Sequence, residues 1–232
     1  MEGFTYIDIF ATKGIEYILV ILFLAAFVVF SYMTLRPRRA STGPSQSPRT
    51  IMSRLFRIPD YLYYHQGHTW VFPEGERIAR VGIDDFAQKL VGNVEAIKVP
   101  KRGEEIIQGE VGWSLFVDGK EIKMLSPLDG EIIEINEKVI KNPKKLSEDP
   151  YGDGWLLKVY SPNLKSNLKN LLNGRLAIRW VDALKESLFS RMNYNLGYLL
   201  QDGGLPISGM AKSLNPESWD EMVKEYFMTK DV

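Results

Sequence analysis

Residues 113–125 read WSLFVDGKEIKML, and this stretch decides which fold the sequence predicts. Two β-prone segments, 113–117 and 121–125, flank Asp118 and Gly119. An Asp-Gly pair between such segments is a strong signal for a two-residue hairpin turn. We therefore expect a tight hairpin with Asp118, Gly119 and Lys120 at its tip.

Short β-prone runs surround this hairpin and alternate with turn residues. Many short strands at such spacing predict an antiparallel sandwich or barrel, and about 100 residues can enclose one core of that kind. Residues 83–91 interrupt the strands with a helical pattern that Asp84 can cap. We therefore predict a mainly β domain over residues 58–173 with one short helical insert. The β-prone runs lie at residues 69–72, 77–81, 94–99, 131–135 and 155–160.

The N-terminal part is almost uninterruptedly apolar from residue 15 to residue 35. A helix of about 20 such residues crosses the hydrocarbon core of a bilayer, so we expect a transmembrane helix at 15–35 after a short N-terminus at 1–14. Several arginines follow at once, within a Pro- and Ser-rich linker at 36–57. Because basic residues favour the cytoplasmic side, we predict a single-pass protein of the inner (cytoplasmic) membrane. Its N-terminus would lie outside and its β domain in the cytoplasm.

Residues 174–232 are predicted to form a helical C-terminal extension. Asn215 and Pro216 are typical of a helix start, with a cap followed by proline at the first helical position. An apolar stripe follows, and a stripe of this kind has to be buried against another surface. We expect it to dock on a partner subunit as a helix in a groove. The residues of this stripe are Trp219, Met222, Val223, Tyr226 and Phe227.

The composition excludes several functional classes. The chain has no cysteine, which rules out thiolate-bound iron–sulfur clusters, Cys-based zinc sites and thiol nucleophiles. A formal net charge of +0 gives no electrostatic reason to bind nucleic acid. His65 and His68 could offer a metal two ligands, but without a clear third ligand a structural or partner-facing role is favoured. Asp84 and Asp85 are explained better by helix capping than as a catalytic pair, so we predict neither an enzyme nor a metal site.

The β domain resembles a known family over residues 61–172. Its matching segments, in chain order, are GHTW at 67–70, VGIDDFAQKLVG at 81–92, VPKRG at 99–103, SPLDGE at 126–131 and EDPYGDGW at 148–155. They are similar to segments of the glycine cleavage system H protein, a lipoyl carrier with a flattened β-barrel or sandwich fold. The resemblance implies that fold and a lipoyl-bearing lysine on the hairpin.

The hairpin departs from the family at the carrier position. The resemblance puts the lysine eight residues before Pro127, where this chain has Gly119, and an acidic residue three positions earlier, where it has Phe116. Lys120 could serve only if the turn were shifted by one residue. We therefore expect a non-catalytic, membrane-anchored accessory or scaffold subunit of a membrane complex, such as a respiratory or other redox assembly, without a cofactor. The alternative is a membrane-tethered carrier with lipoate on Lys120.

Overall fold

The structure is a computed structural model that describes residues 13–35, 56–193 and 208–230. The chain divides into two compact units, Met1–Gln46 and Ser47–Val232. The predicted C-terminal extension therefore belongs to the same unit as the β domain.

The first unit contains helix α1, Lys13–Leu35, which has 23 residues. Its side chains from Tyr17 to Phe30 are exposed. Within the described residues, no helix is both long enough and apolar enough to cross a membrane. The predicted N-terminus at 1–14 and linker at 36–57 lie almost entirely outside the described residues.

The described residues of the second unit form two antiparallel sheets. The first sheet has seven strands in the order β10-β1-β2-β3-β9-β8-β5, and the second has three in the order β4-β6-β7. The predicted mainly β, antiparallel fold is thus confirmed. The strands are β1 Tyr63–His65, β2 Thr69–Pro73, β3 Ile78–Ile83, β4 Ala96–Lys98, β5 Glu105–Ile106, β6 Val111–Val117, β7 Lys120–Leu125, β8 Gly130–Ile135, β9 Leu157–Tyr160 and β10 Leu172–Asn173.

One hydrophobic core joins the two sheets. Val71, Val81 and Val159 enter it from the seven-stranded sheet, and all three are fully buried. Leu115 and Ile122 enter it from the three-stranded sheet and are equally buried. Because alternate side chains of a strand point to opposite faces, one face of each sheet supplies this core. The arrangement is a sandwich in which β6 and β7 form the hairpin that the sequence predicts.

Helix α2, Asp85–Val91, is the predicted helical insert. The Asp84 side chain accepts a 2.8 Å hydrogen bond from the backbone N–H of Ala87, which satisfies a donor at the helix start. Gly92 ends the helix with a φ of 86°, in the left-handed region that glycine adopts at low cost. The prediction that Asp84 caps this helix is confirmed.

The EDPYGDGW segment fixes the end of the sandwich beside α2. The indole N–H of Trp70 donates to the carbonyl oxygens of Ile83, at 3.0 Å, and Pro150, at 3.1 Å. The Tyr151 hydroxyl donates to the Arg57 carbonyl at 2.6 Å and accepts from the Asp85 N–H at 3.0 Å. Burial raises the pKa of Tyr151, so this hydroxyl keeps its proton and remains a donor.

The C-terminal helix begins later than the sequence predicts. It starts at Trp219, and residues 215–218 form a turn in which the Asn215 side chain donates to the Ser218 hydroxyl at 2.7 Å. The prediction of Pro216 at the first helical position is therefore wrong, because the Asn215 turn takes up those residues. The helices that follow α2 are α3 Glu137–Lys141, α4 Lys145–Glu148, α5 Leu164–Lys169, α6 Gly174–Asn193, α7 Met210–Leu214 and α8 Trp219–Tyr226.

Candidate functional site at the hairpin tip

The hairpin tip is a two-residue turn between β6 and β7. Val117 pairs with Lys120, so Asp118 and Gly119 form the turn. Their φ angles are 50° and 72°. Positive φ at both central positions defines a type I′ turn, whose twist matches that of the flanking strands. The prediction from the Asp-Gly pair is confirmed, and Gly119 occupies the second turn position.

Lys120, the first residue of β7, is held by α8. Its Nζ lies 2.5 Å from Oδ1 of Asp220 and 5.4 Å from the centroid of the Trp219 ring. The Lys120 side chain is 40% exposed and that of Asp220 is 16% exposed. The hydrogen bond from Lys120 lowers the pKa of Asp220, because it stabilises the ionised carboxylate. Lys120 is thus ion-paired and partly covered at the tip.

Asp118 makes a second link to the C-terminal helices. Its Oδ2 lies 2.7 Å from Nζ of Lys212, which belongs to α7. Both side chains are about half exposed, at 45% for Asp118 and 55% for Lys212. The negative and the positive residue of the tip therefore each meet an opposite charge from the C-terminal helices.

Residues 209–230, called the terminal segment below, pack on the β domain through the predicted apolar stripe. The Tyr226 ring lies 5.6 Å from that of Phe86 on α2, and the Phe227 ring lies 5.6 Å from that of His68. The prediction that this stripe is offered to a partner is corrected, because the chain's own apolar surface covers it. The stripe residues, all buried or half-buried in the core of this chain, are Trp219, Met222, Val223, Tyr226 and Phe227.

Two neighbouring contacts fix how the terminal segment sits. Gly92 approaches its first residue so closely that a Cβ on Gly92 would stand 2.8 Å from the Gly209 Cα. At the other end, Arg191 of α6 donates to Glu225 of α8, with one of the two distances at 3.1 Å. The hydrogen bond from Arg191 lowers the pKa of Glu225. The terminal segment is therefore bound to α2, α6 and the hairpin at once.

The two histidines have structural surroundings. Nδ1 of His68 lies 2.9 Å from Oδ2 of Asp84, and both side chains are fully buried. The His68 ring stacks on Phe86, at 4.5 Å, and on Trp180 of α6, at 4.9 Å. His65 accepts a 3.0 Å hydrogen bond from a backbone N–H two residues on. In the part of the chain that the structure describes, no group of three or more His, Cys, Asp or Glu side chains could hold a metal ion.

Sequence reasoning missed the two residues that meet the hairpin tip. Lys212 is 94 residues from Asp118, and Asp220 is 100 residues from Lys120. In the sequence, Lys212 and Asp220 are charged residues of short helical segments, where such residues are typical of a solvated helix face, so neither indicated a contact with the hairpin. The one sequence signal for these contacts was weak. Asp118 and Lys120 carry opposite charges, so the hairpin tip is complementary to a segment that carries one charge of each sign.

The sequence model of the glycine cleavage H-protein family matches residues 62–182, just over half of the chain. The chain is 34% identical to the probable glycine cleavage system H protein of Pyrococcus abyssi over an alignment of 118 residues. This alignment covers 51% of this chain and 87% of that protein. The chain is also 43% identical to the glycine cleavage system H protein of Marinobacter nauticus over an alignment of 102 residues. This alignment covers 44% of this chain and 78% of that protein. A crystal structure of a glycine cleavage system H protein from Mycobacterium marinum matches with a TM-score of 0.42 and 28% identity, over 45% of this chain and 87% of that one.

The chain therefore belongs to the glycine cleavage H-protein family. The resemblance read from the sequence is confirmed for the β domain, and it brings the chain into a family of lipoyl carriers.

Proposed function

We propose that this chain is a non-catalytic accessory subunit whose H-protein domain serves as a docking module without a lipoyl arm. The observation that carries this function is the state of the hairpin tip. Gly119 stands where the family resemblance puts the carrier lysine, and glycine has no side chain that could be acylated. The neighbouring charged residues, Asp118 and Lys120, are engaged by the terminal segment.

The contacts of Lys120 disfavour an arm at that residue. Attachment of lipoate converts its ammonium group into a neutral amide, and this ammonium group lies 2.5 Å from Asp220. Asp220 would keep Lys224, whose Nζ is 3.2 Å from the other carboxylate oxygen. Removing one of the two cations from a carboxylate that is only 16% exposed costs free energy, since water replaces the lost partner incompletely.

A membrane tether through α1 completes this function. The support for this tether is the sequence, in which residues 15–35 are almost uninterruptedly apolar and about 20 such residues cross a bilayer core. Within the described residues, no helix meets that length and apolarity. The run from Ile18 to Phe30 contains no charged residue, and its large side chains are exposed. The arginines that follow, Arg36, Arg38 and Arg39, favour a cytoplasmic position for the H-protein domain. The partners expected are other subunits of a membrane complex, such as a respiratory or other redox assembly.

The second candidate function is that of a membrane-tethered lipoyl carrier modified on Lys120. Membership of a lipoyl-carrier family favours this candidate over the first. The position of Lys120 also supports it, because the residue directly follows the turn and its side chain is 40% exposed. The two candidate functions differ in whether the hairpin tip carries a lipoyl group on Lys120, and they share the same fold and the same membrane tether.

Extraction of the full-length chain in a mild detergent tests the accessory function. We expect a native mass well above that of a 26.5 kDa chain, with other subunits present in fixed stoichiometry. A monomer without such subunits would contradict the accessory function. The intact mass of the same sample separates the second candidate, because a carrier gains the mass of a lipoyl group and loses that gain in Lys120→Ala.

A further inference from the structure

Two ion pairs of opposite polarity join the hairpin tip to the terminal segment. The tip supplies a negative charge at Asp118 and a positive charge at Lys120, two residues apart. In the terminal segment, Lys212 lies 2.7 Å from Asp118, and Asp220 lies 2.5 Å from Lys120. A crossed pair of this kind favours one alignment, because the reversed alignment places like charges together and a shifted one loses both pairs.

Both of these pairs depend on closure, whereas another pair of Asp220 does not. Asp220 also pairs with Lys224, four residues along the same helix, and that pair persists whether or not the helix touches the β domain. The contacts from Lys120 to Asp220 and to the Trp219 ring exist only while the segment lies on the tip. Trp219 is 3% exposed, so opening the segment brings a large aromatic surface into water.

We infer that the terminal segment is a charge-latched cover over the hairpin tip. While it is closed, the charged groups of Asp118 and Lys120 are ion-paired with Lys212 and Asp220, so neither charge is available to pair with a second protein or a modifying enzyme. Any group that pairs with the charge of Asp118 or Lys120 has to displace Lys212 or Asp220, so closure and such pairing exclude each other. This inference rests on the proposed function only in taking the hairpin tip as the working end of the domain.

Backbone hydrogen exchange of the full-length chain in detergent tests the cover. Lys212→Ala removes the pair with Asp118 without touching Lys120, and Asp220→Asn removes the pair with Lys120 together with the Asp220–Lys224 pair inside α8. In each variant we expect the amides of both α7 and α8 to exchange faster by a common factor of roughly two- to five-fold, the range of a partly exposed ion pair. The matched control is Lys165→Ala, which removes an equal charge from α5, where Lys165 lies 3.8 Å from Glu76.

A cooperative cover is contradicted if Lys212→Ala accelerates exchange in α7 alone, or no more than Lys165→Ala does. The intact mass of every sample is measured first, so a lipoylated Lys120 is detected independently of the exchange rates. The measured mass can then contradict the proposed function while the exchange rates support the cover, or the exchange rates can contradict the cover while the mass supports the proposed function.

Discussion

Replacing Phe227 with alanine should loosen the terminal segment from the β domain. Phe227 is 0% exposed, and its ring lies 5.6 Å from that of His68. Truncation of a buried phenylalanine costs about 3–5 kcal/mol, because it removes apolar contacts and leaves a cavity. The loss falls on the contact between the terminal segment and the core, since Phe227 directly follows α8.

Hydrogen exchange at the amides of α8 is the assay that reports this loss. If the terminal segment opens before the rest of the domain, a cost of about 3–5 kcal/mol accelerates exchange roughly 10²- to 4 × 10³-fold. The control is Met228→Ala, because Met228 is the next residue and is 52% exposed. That variant should change stability by no more than about 0.5 kcal/mol. Equal exchange in Phe227→Ala, Met228→Ala and the unaltered chain would refute self-packing and restore the partner-docking prediction for the stripe.

Two further predictions concern the Lys120–Asp220 pair and the packing of Gly82 beside Trp70. Lowering the pH should release the terminal segment from the β domain, and a side chain at Gly82 should destabilise that domain. Because the pKa of Asp220 is lowered in the folded state, its stabilisation is complete at neutral pH. It is lost as the pH falls below the ordinary aspartate value of about 3.9 and through the lowered value. The protection of the α8 amides, taken relative to the intrinsic exchange rate at each pH, should fall over that range and should depend less on pH in Asp220→Asn. Gly82→Ala should destabilise the domain by about 1–3 kcal/mol in thermal unfolding, since its Cβ would stand 2.6 Å from the buried Trp70 ring. Gly75→Ala, whose Cβ meets nothing within 4 Å, should leave the melting temperature nearly unchanged, and equal melting of the two variants would contradict the predicted clash.

Local patterns predicted the parts of the fold that local physics determines. Asp118 and Gly119 specify their turn because few residues adopt two successive positive φ angles. Asp84 specifies its cap because its carboxylate reaches an N–H three residues on. The two-residue strand Leu172–Asn173 was not predicted, because it exists only through its pairing with β1.

The candidate site could be predicted only in part. The apolar stripe around Trp219 and Phe227 showed that α8 needs a covering surface, but the period of a helix does not say which surface covers it. The surface proved to be this chain's own, beside Phe86 and His68. The pairing of Asp220 with Lys120 likewise depends on where the terminal segment lies, and no local pattern determines that.

The intact mass of the full-length chain, purified from cells that lipoylate their own carrier proteins, tests the central claim most directly. We expect the mass of the unmodified sequence, both for this chain and, after correction for the substitution, for Lys120→Ala. A lipoyl mass that is present in the unaltered chain and absent from Lys120→Ala would contradict that claim and identify Lys120 as the carrier.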